Sequence, residues 1–484
     1  MDNLYIDSWF FLTVLVAFGL YYVPALRRLQ LVIVSATSLF IYGYIASEFM
    51  VILLASVLIT TVASFYLATQ ARHRKALLVL GIGLNLVLLA FFKYKHLLFP
   101  AGTFPATWEH GAAWSYVTSL ALPIGISFYV FHGISLMVDT YRDRAVIDDA
   151  HARPGFFKHL LKTTHFISFF PQVVAGPIAK GKHFYTQIEY KKWRDIDWES
   201  AITALVCGYF MKEVIANNLS QFTQFMSMSD RLTAMNGQEL LWIMLGYSAQ
   251  IFADFAGYSL IAIGLARLFG YALPRNFNWP YLASSFSDFW QRWHISLSSW
   301  LRDYLYIPLG GNRRGAVRLG VNLMIVMGLG GLWHGAEWRY AIWGLMHGAL
   351  LVAERMLANL LPEHIRSPKH RVLRYVLLTL RIIFVFSAVT VAWLFFRMPT
   401  AADAWNYLSL IYNQWNKGYS GYHLELLHHL VKLTLVLHIL GVLYHRYTPQ
   451  WGWMNYAKPV VLGLLLLLAM VAKGPETAFI YFQF

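Results

Sequence analysis

Two histidines stand where little else in the chain could do chemistry. His334 lies in GLGGLWHGAEW, residues 328–338, near the end of an 18-residue stretch, Leu319 to Ala336, without Asp, Glu, Lys or Arg. His294 lies forty residues earlier, in a segment crowded with aromatic residues. Imidazole is the one side chain that ordinarily titrates near working pH, so a general base is the first chemistry to consider. An ionisable group beside so much apolar chain is costly unless it faces protein or water, which favours a functional reading. The competing reading is an imidazole hydrogen-bonded between packed helices, and the residues alone leave both open. Gly328, Gly330, Gly331 and Gly335 crowd His334 and allow backbone or ligand to come close.

Other side chains that could take part are fewer. Asp254 sits inside an apolar run and could be a relay or substrate group, or a structural partner of Arg267 or Arg292. Asp288 and Arg292, four apart, suit a helix ion pair. His132, His347 and His438 read as packing residues. A metal site is not expected: His334 and His347 are 13 residues apart and do not share a helix face, and no HxxxH pattern accompanies them. Cys207 is the only cysteine, which excludes an intramolecular disulfide and a cysteine-rich metal centre.

The elements that must hold these groups are apolar. Of 484 residues 58% are hydrophobic and only 13% charged, too few charges to cover a soluble protein of this length. Crossing a hydrocarbon core takes about 20 apolar residues. Spans are expected over 9–26, 29–46, 49–69, 76–92, 115–138, 200–216, 239–268, 319–335, 338–357, 374–396, 426–444 and 459–472. Net charge of +15 reads as basic cytoplasmic loops rather than nucleic-acid binding. Basic exits follow the first, third and fifth spans, placing the N-terminus outside the cytoplasm; Lys93 and Lys95 run against that bias. The first span has no basic flank of the kind a cleavable signal carries, so it is expected to be retained.

Two stretches depart from plain spans. In 154–190, Pro171, Gly176 and Pro177 break any helix, which suggests a re-entrant element followed by a basic loop. In 281–315 an amphipathic helix is expected, with Ser284, Ser287, Gln291, His294 and Ser298 on one polar stripe and Phe286, Phe289, Trp290, Trp293, Leu297 and Trp300 around it. Irregular backbone at membrane depth needs protein or water around it, so a cavity is expected. No repeat or separate soluble domain is visible, and 1–484 reads as one membrane domain.

The strings FSDFWQRWHISLSSWLRDYLYIPLGGNRRG at 286–315 and GGLWHGAEWRYAIWGLMHG at 330–348 resemble the membrane-bound O-acyltransferase family, most closely its bacterial alginate O-acetyltransferase (AlgI-like) branch. PQVVAGPI at 171–178, DFAGYSLIAIGLARLFGY at 254–271 and FIYFQF at 479–484 fit that branch too, and the resemblance is strongest over 120–350. It implies an all-α polytopic protein of about 11–12 transmembrane helices, with re-entrant and interfacial helices around a central tunnel. It also implies that His334 and His294 match the family's catalytic positions. The expected reaction is metal-free acyl transfer from a cytoplasmic thioester, acetyl-CoA or an acyl carrier, with no permanently bound cofactor. His334 would act as base, while His294, with Gln291, Ser298 or nearby Trp N–H groups such as that of Trp333, would position or polarise the carbonyl. Arg313 and Arg314, with Lys180, Lys182, Lys191, Lys192 and Arg194, form a basic cluster that could attract an anionic donor or simply follow the positive-inside bias.

The expected setting is a bacterial inner membrane, with an exported polysaccharide of the alginate, cellulose or peptidoglycan type as final acceptor. The resemblance also implies a periplasmic SGNH-type partner, expected to be a separate protein since no GDS-type serine motif is present here. A D-alanyl transferase of the teichoic-acid pathway is the alternative enzyme, and a transporter using buried histidines is the alternative class.

Overall fold

The computed structural model describes residues 5, 7–70, 72–98, 122–147, 155–173, 176–360, 370–447 and 454–480. Among these every regular element is helical. The chain forms two compact units, Asn3–Ile202 with Ile261–Pro274, and Thr203–Leu260 with Arg275–Phe484.

The first unit contains α1 (Ser8–Tyr22), α2 (Gln30–Ala46), α3 (Met50–Thr69), α4 (Arg74–Leu98), α5 (Ile126–Arg142) and α6 (Phe156–Ser168). Small residues let α3, α4 and α5 pack closely: a Cβ at Gly133 would fall 2.5 Å from Thr60 Oγ1, and one at Gly81 would fall 2.8 Å from the Ala63 Cβ. Arg74 donates to the carbonyls of Leu67 (3.0 Å) and Tyr141 (2.8 Å), satisfying the open ends of α3 and α5 together. The expected break is present: α6 ends at Ser168, and residues 176–180 are irregular. Between them Pro171 lies in the first turn of a short buried helix, Phe170–Val173, where a missing N–H costs nothing.

The boundary between units falls inside α7 (Trp198–Tyr209) and α8 (Gly237–Leu268). A π turn, Phe210–Ala216, follows α7 directly. At its start, α8 is capped reciprocally: Glu239 N donates to Asn236 Oδ1 at 2.9 Å, and Asn236 N to Glu239 Oε2 at 2.8 Å. The second unit continues with α9 (Phe286–Arg292), α10 (Ile295–Leu301), α11 (Gly315–His334), α12 (Trp338–Leu360), α13 (Arg371–Arg397), α14 (Ala401–Asn413), α15 (Glu425–Tyr447) and α16 (Met454–Val471). The backbones of α11 and α12 touch. A Cβ at Gly331 would sit 2.1 Å from the Tyr340 carbonyl oxygen, and one at Gly344 would sit 2.2 Å from that of Met327.

Each expected span overlaps a described helix; of the fifth, 115–121 lies outside the described residues and the helix starts only at Ile126. Among the described residues seven helical stretches are long and apolar enough to cross a membrane, and one of them, Pro24–Thr69, contains both α2 and α3. The protein is thus a polytopic all-α membrane protein. Helices α1 and α16 are apolar but shorter.

Candidate active site

The amphipathic helix expected within 281–315 is broken at His294. Ser285 caps α9 by accepting the Asp288 N–H at 3.0 Å, and Glu354 accepts the N–H groups of Phe286 and Ser287. The helix ends at Arg292, Trp293 is extended, and His294 is left-handed at φ 44°, ψ 51°. A left-handed non-glycine residue persists only when its surroundings impose it. Here the imposing group is Asn276. Its carbonyl accepts Ile295 N–H at 2.9 Å, its Oδ1 accepts the Ser296 hydroxyl at 2.6 Å, and its Nδ2 donates to Ser259 Oγ at 3.0 Å. Asn278 N–H donates to Arg292 O on the other side of the break.

The break turns the His294 ring inward, fully buried, edge-on to Phe255 with centroids 4.6 Å apart. His294 lies outside the spanning helices, and burial pushes its imidazole down to about 3. His334 ends α11, where the carbonyl end of a helix favours cationic charge. Its ring is 6.3 Å from that of His294, 5.0 Å from Trp333 and 5.2 Å from Trp343. The two histidines named from sequence are therefore neighbours.

His334 lines a cavity of about 230 Å³. Leu323, Val326, Met327 and Gly330 of α11 form one wall. Trp290, Leu297, Ser298 and Leu301 come from α9 and α10, and Trp343, Leu351 and Arg355 from α12. Arg302 and Tyr306 complete it. Both arginines are exposed while His334 is buried, so one cavity is lined by surface cations and by the imidazole.

The sequence profile of the membrane-bound O-acyltransferase family matches residues 158–398. Over 407 residues the chain is 34% identical to a probable alginate O-acetylase AlgI of Azotobacter vinelandii, covering 82% of this chain and 75% of that protein. The chain belongs to the membrane-bound O-acyltransferase family. It is also 33% identical to a peptidoglycan O-acetyltransferase of Helicobacter pylori, over 79% of this chain and 73% of that one. With a teichoic acid D-alanyltransferase of Bacillus subtilis it shares 32% identity over 47% of its length and 58% of the other's. The transporter alternative is thereby set aside in favour of an O-acyltransferase.

The structure sorts the remaining expected site residues of this acyltransferase. Ser298 lines the cavity, and Trp333 packs against both histidine rings. Gln291 is exposed and absent from the lining, because the break at Trp293–His294 ends the polar stripe that would have carried it inward. Arg313 and Arg314 are exposed on the turn after the site and do not line the cavity; Arg302 and Arg355 do. Asp254 pairs with neither suggested arginine. Its partner is Lys212, at 2.7 Å, while Arg267 binds Asp197 and Arg292 binds Asp288 as expected. His347 is fully buried against Phe289, Trp290 and Trp343, behind the cavity wall. Reading back from His334 by helical steps finds Gly330, Met327 and Leu323, a signal present in the sequence.

Proposed function

We propose that this acyltransferase moves an acetyl group from a cytoplasmic thioester donor, acetyl-CoA or an acyl carrier, to a hydroxyl, for O-acetylation of an extracytoplasmic polysaccharide. The observation that carries the reading is a buried pair of imidazoles, one at the wall of a cavity and the other on a strained backbone beside it. The acceptor hydroxyl approaches His334, whose ring takes the proton as the oxygen attacks the thioester carbonyl. The C–S bond breaks, the ester C–O bond forms, and the proton passes to the leaving thiolate. The α11 carbonyl end stabilises the transient imidazolium. A neutral His294, with the Ser298 hydroxyl, orients the acyl carbonyl. The mostly apolar lining keeps out bulk water, so hydrolysis is disfavoured.

The relatives named for alginate and peptidoglycan O-acetylation support an exported glycan of alginate, cellulose or peptidoglycan type as final acceptor. The setting we assign is the bacterial inner membrane, N-terminus outside, with a separate periplasmic SGNH-type protein completing transfer to sugar. The D-alanyl alternative draws on a relative that matches less than half of this chain. Mass spectrometry of surface polymers in wild type and a His334→Ala strain tests the reading. Polymer-bound acetate is expected to vanish at unchanged protein level. Normal acetylation in that strain overturns the role of His334, and loss of D-alanine ester with acetate unchanged overturns the acetyl assignment.

A further inference from the structure

We propose that the buried Lys212–Asp254 ion pair docks the segment Ala472–Ile480, and that the docked segment sets the position of His294. Lys212 lies on the π turn after α7 and Asp254 on α8, with side chains only 2% and 3% exposed. A buried pair of this kind returns its desolvation cost only when its remaining hydrogen-bonding capacity is used. Here the segment uses it. Lys212 Nζ donates to Asp254 Oδ1 at 2.7 Å and to Thr477 O at 3.0 Å, and the Ile480 N–H donates to Asp254 Oδ2 at 2.7 Å.

The stitching continues along the same stretch. Gly474 N–H donates to Glu213 O at 2.9 Å, and the Thr477 hydroxyl to Asn217 Oδ1 at 2.8 Å. Asn218 Nδ2 donates to Ala472 O at 2.9 Å. A Cβ at Gly474 would lie 2.4 Å from Asn218 N, so the approach requires glycine.

The seam ends at the site. Phe479 is fully buried, 4.2 Å from the Tyr258 ring and 5.9 Å from Phe255. Phe255 is the ring that meets His294 edge-on. Lys212 and Asp254 thus act on the site through Phe479 and Phe255, as positioning residues. The consequence for catalysis rests on the reading of His294 given above; the docking does not.

The test uses the full chain purified in detergent. In a Cys207→Ser, Phe479→Cys background, N-ethylmaleimide should label residue 479 slowly, and at least tenfold faster once Lys212→Met or the near-isosteric Asp254→Asn is added. In the natural background, diethyl pyrocarbonate followed by peptide mass spectrometry should modify His294 at least fivefold faster in Phe479→Ala and Asp254→Asn. The equally buried His347 should not change, and Phe479→Tyr should restore protection. Unchanged maleimide labelling overturns the docking. Faster labelling with His294 reactivity unchanged, or with His347 rising in parallel, overturns the positioning. With acetyl-CoA as probe, kcat should fall at least tenfold in Asp254→Asn while KM stays within twofold. A wild-type protein that fails to turn over acetyl-CoA counts against the proposed donor alone, since both labelling readouts still decide this inference.

Discussion

The left-handed backbone at His294 makes a prediction that separates strain from chemistry. An L-residue held there costs roughly 1–2 kcal/mol, and glycine escapes the penalty. His294→Ala keeps the strain and loses the ring, while His294→Gly loses both. In ordinary helix or strand, glycine would be the less stable of the two by roughly 0.5–1 kcal/mol. At φ 44° the order should invert: the strain of roughly 1–2 kcal/mol, less glycine's own cost of roughly 0.5–1 kcal/mol, leaves the glycine variant more stable than the alanine variant by up to about 1.5 kcal/mol. Asparagine accepts the left-handed region more readily than most residues, so His294→Asn should keep most of the stability. Truncating ring to amide empties roughly 40 Å³, which at about 24 cal/mol per Å³ costs about 1 kcal/mol. Losing the edge contact with Phe255 adds about 0.5–1.5 kcal/mol.

The assay is thermal or denaturant unfolding of the three purified variants beside polymer acetylation in cells. All three should lose activity, and His294→Asn should do so by roughly 10²–10⁴-fold while remaining folded, the range expected for a group taking part in proton transfer or its geometry. An alanine variant as stable as the glycine variant refutes the strain. An asparagine variant within threefold of wild-type activity refutes a role for the imidazole.

Neighbouring glycines on α11 should behave oppositely. Gly331→Ala drives a Cβ into the Tyr340 carbonyl and should destabilise by about 1–3 kcal/mol or more, whereas Gly330→Ala meets only the flexible end of Leu301 at 3.2 Å and should be neutral or slightly stabilising in the same melts. Neutralising either cavity arginine, Arg302→Gln or Arg355→Gln, should raise KM for acetyl-CoA several-fold with kcat within twofold, and added salt should shrink the difference. Stability should also depend on pH through His294. Its folded pKa of about 3 lies below the unfolded value of about 6.5, so the unfolded state binds more protons between them and stability falls on acidification through that window. His294→Asn should flatten the melting-temperature change between pH 7 and pH 5 by at most one proton, about 1.4 kcal/mol per pH unit.

The spans were readable because each is a long apolar run whose position depends on nothing distant. His334 stood out for the same reason, as one imidazole at the edge of an uncharged stretch. The turn at His294 was not readable, because the hydrogen bonds that impose it come from Asn276, and the local pattern of 286–301 favours an unbroken helix. Lys212 was equally hidden: it lies 42 residues from Asp254, on a π turn that shifts helical phase. Arg302 and Arg355 looked like ordinary surface cations, and only the folded arrangement brings them to the cavity that holds His334.

Where α11 meets α12 at Gly331 and Gly344, no side chain separates the two backbones. Such a seam has no adjustable part: the helices cannot be brought closer, and spreading them would part His334 from Trp343. Acyl-chain selectivity in this scaffold can therefore be redesigned only from the lining. On the mechanism proposed above, trimming Leu297, Val326 or Met327 should admit propionyl or butyryl donors while leaving the helix register, and with it His334, where it stands.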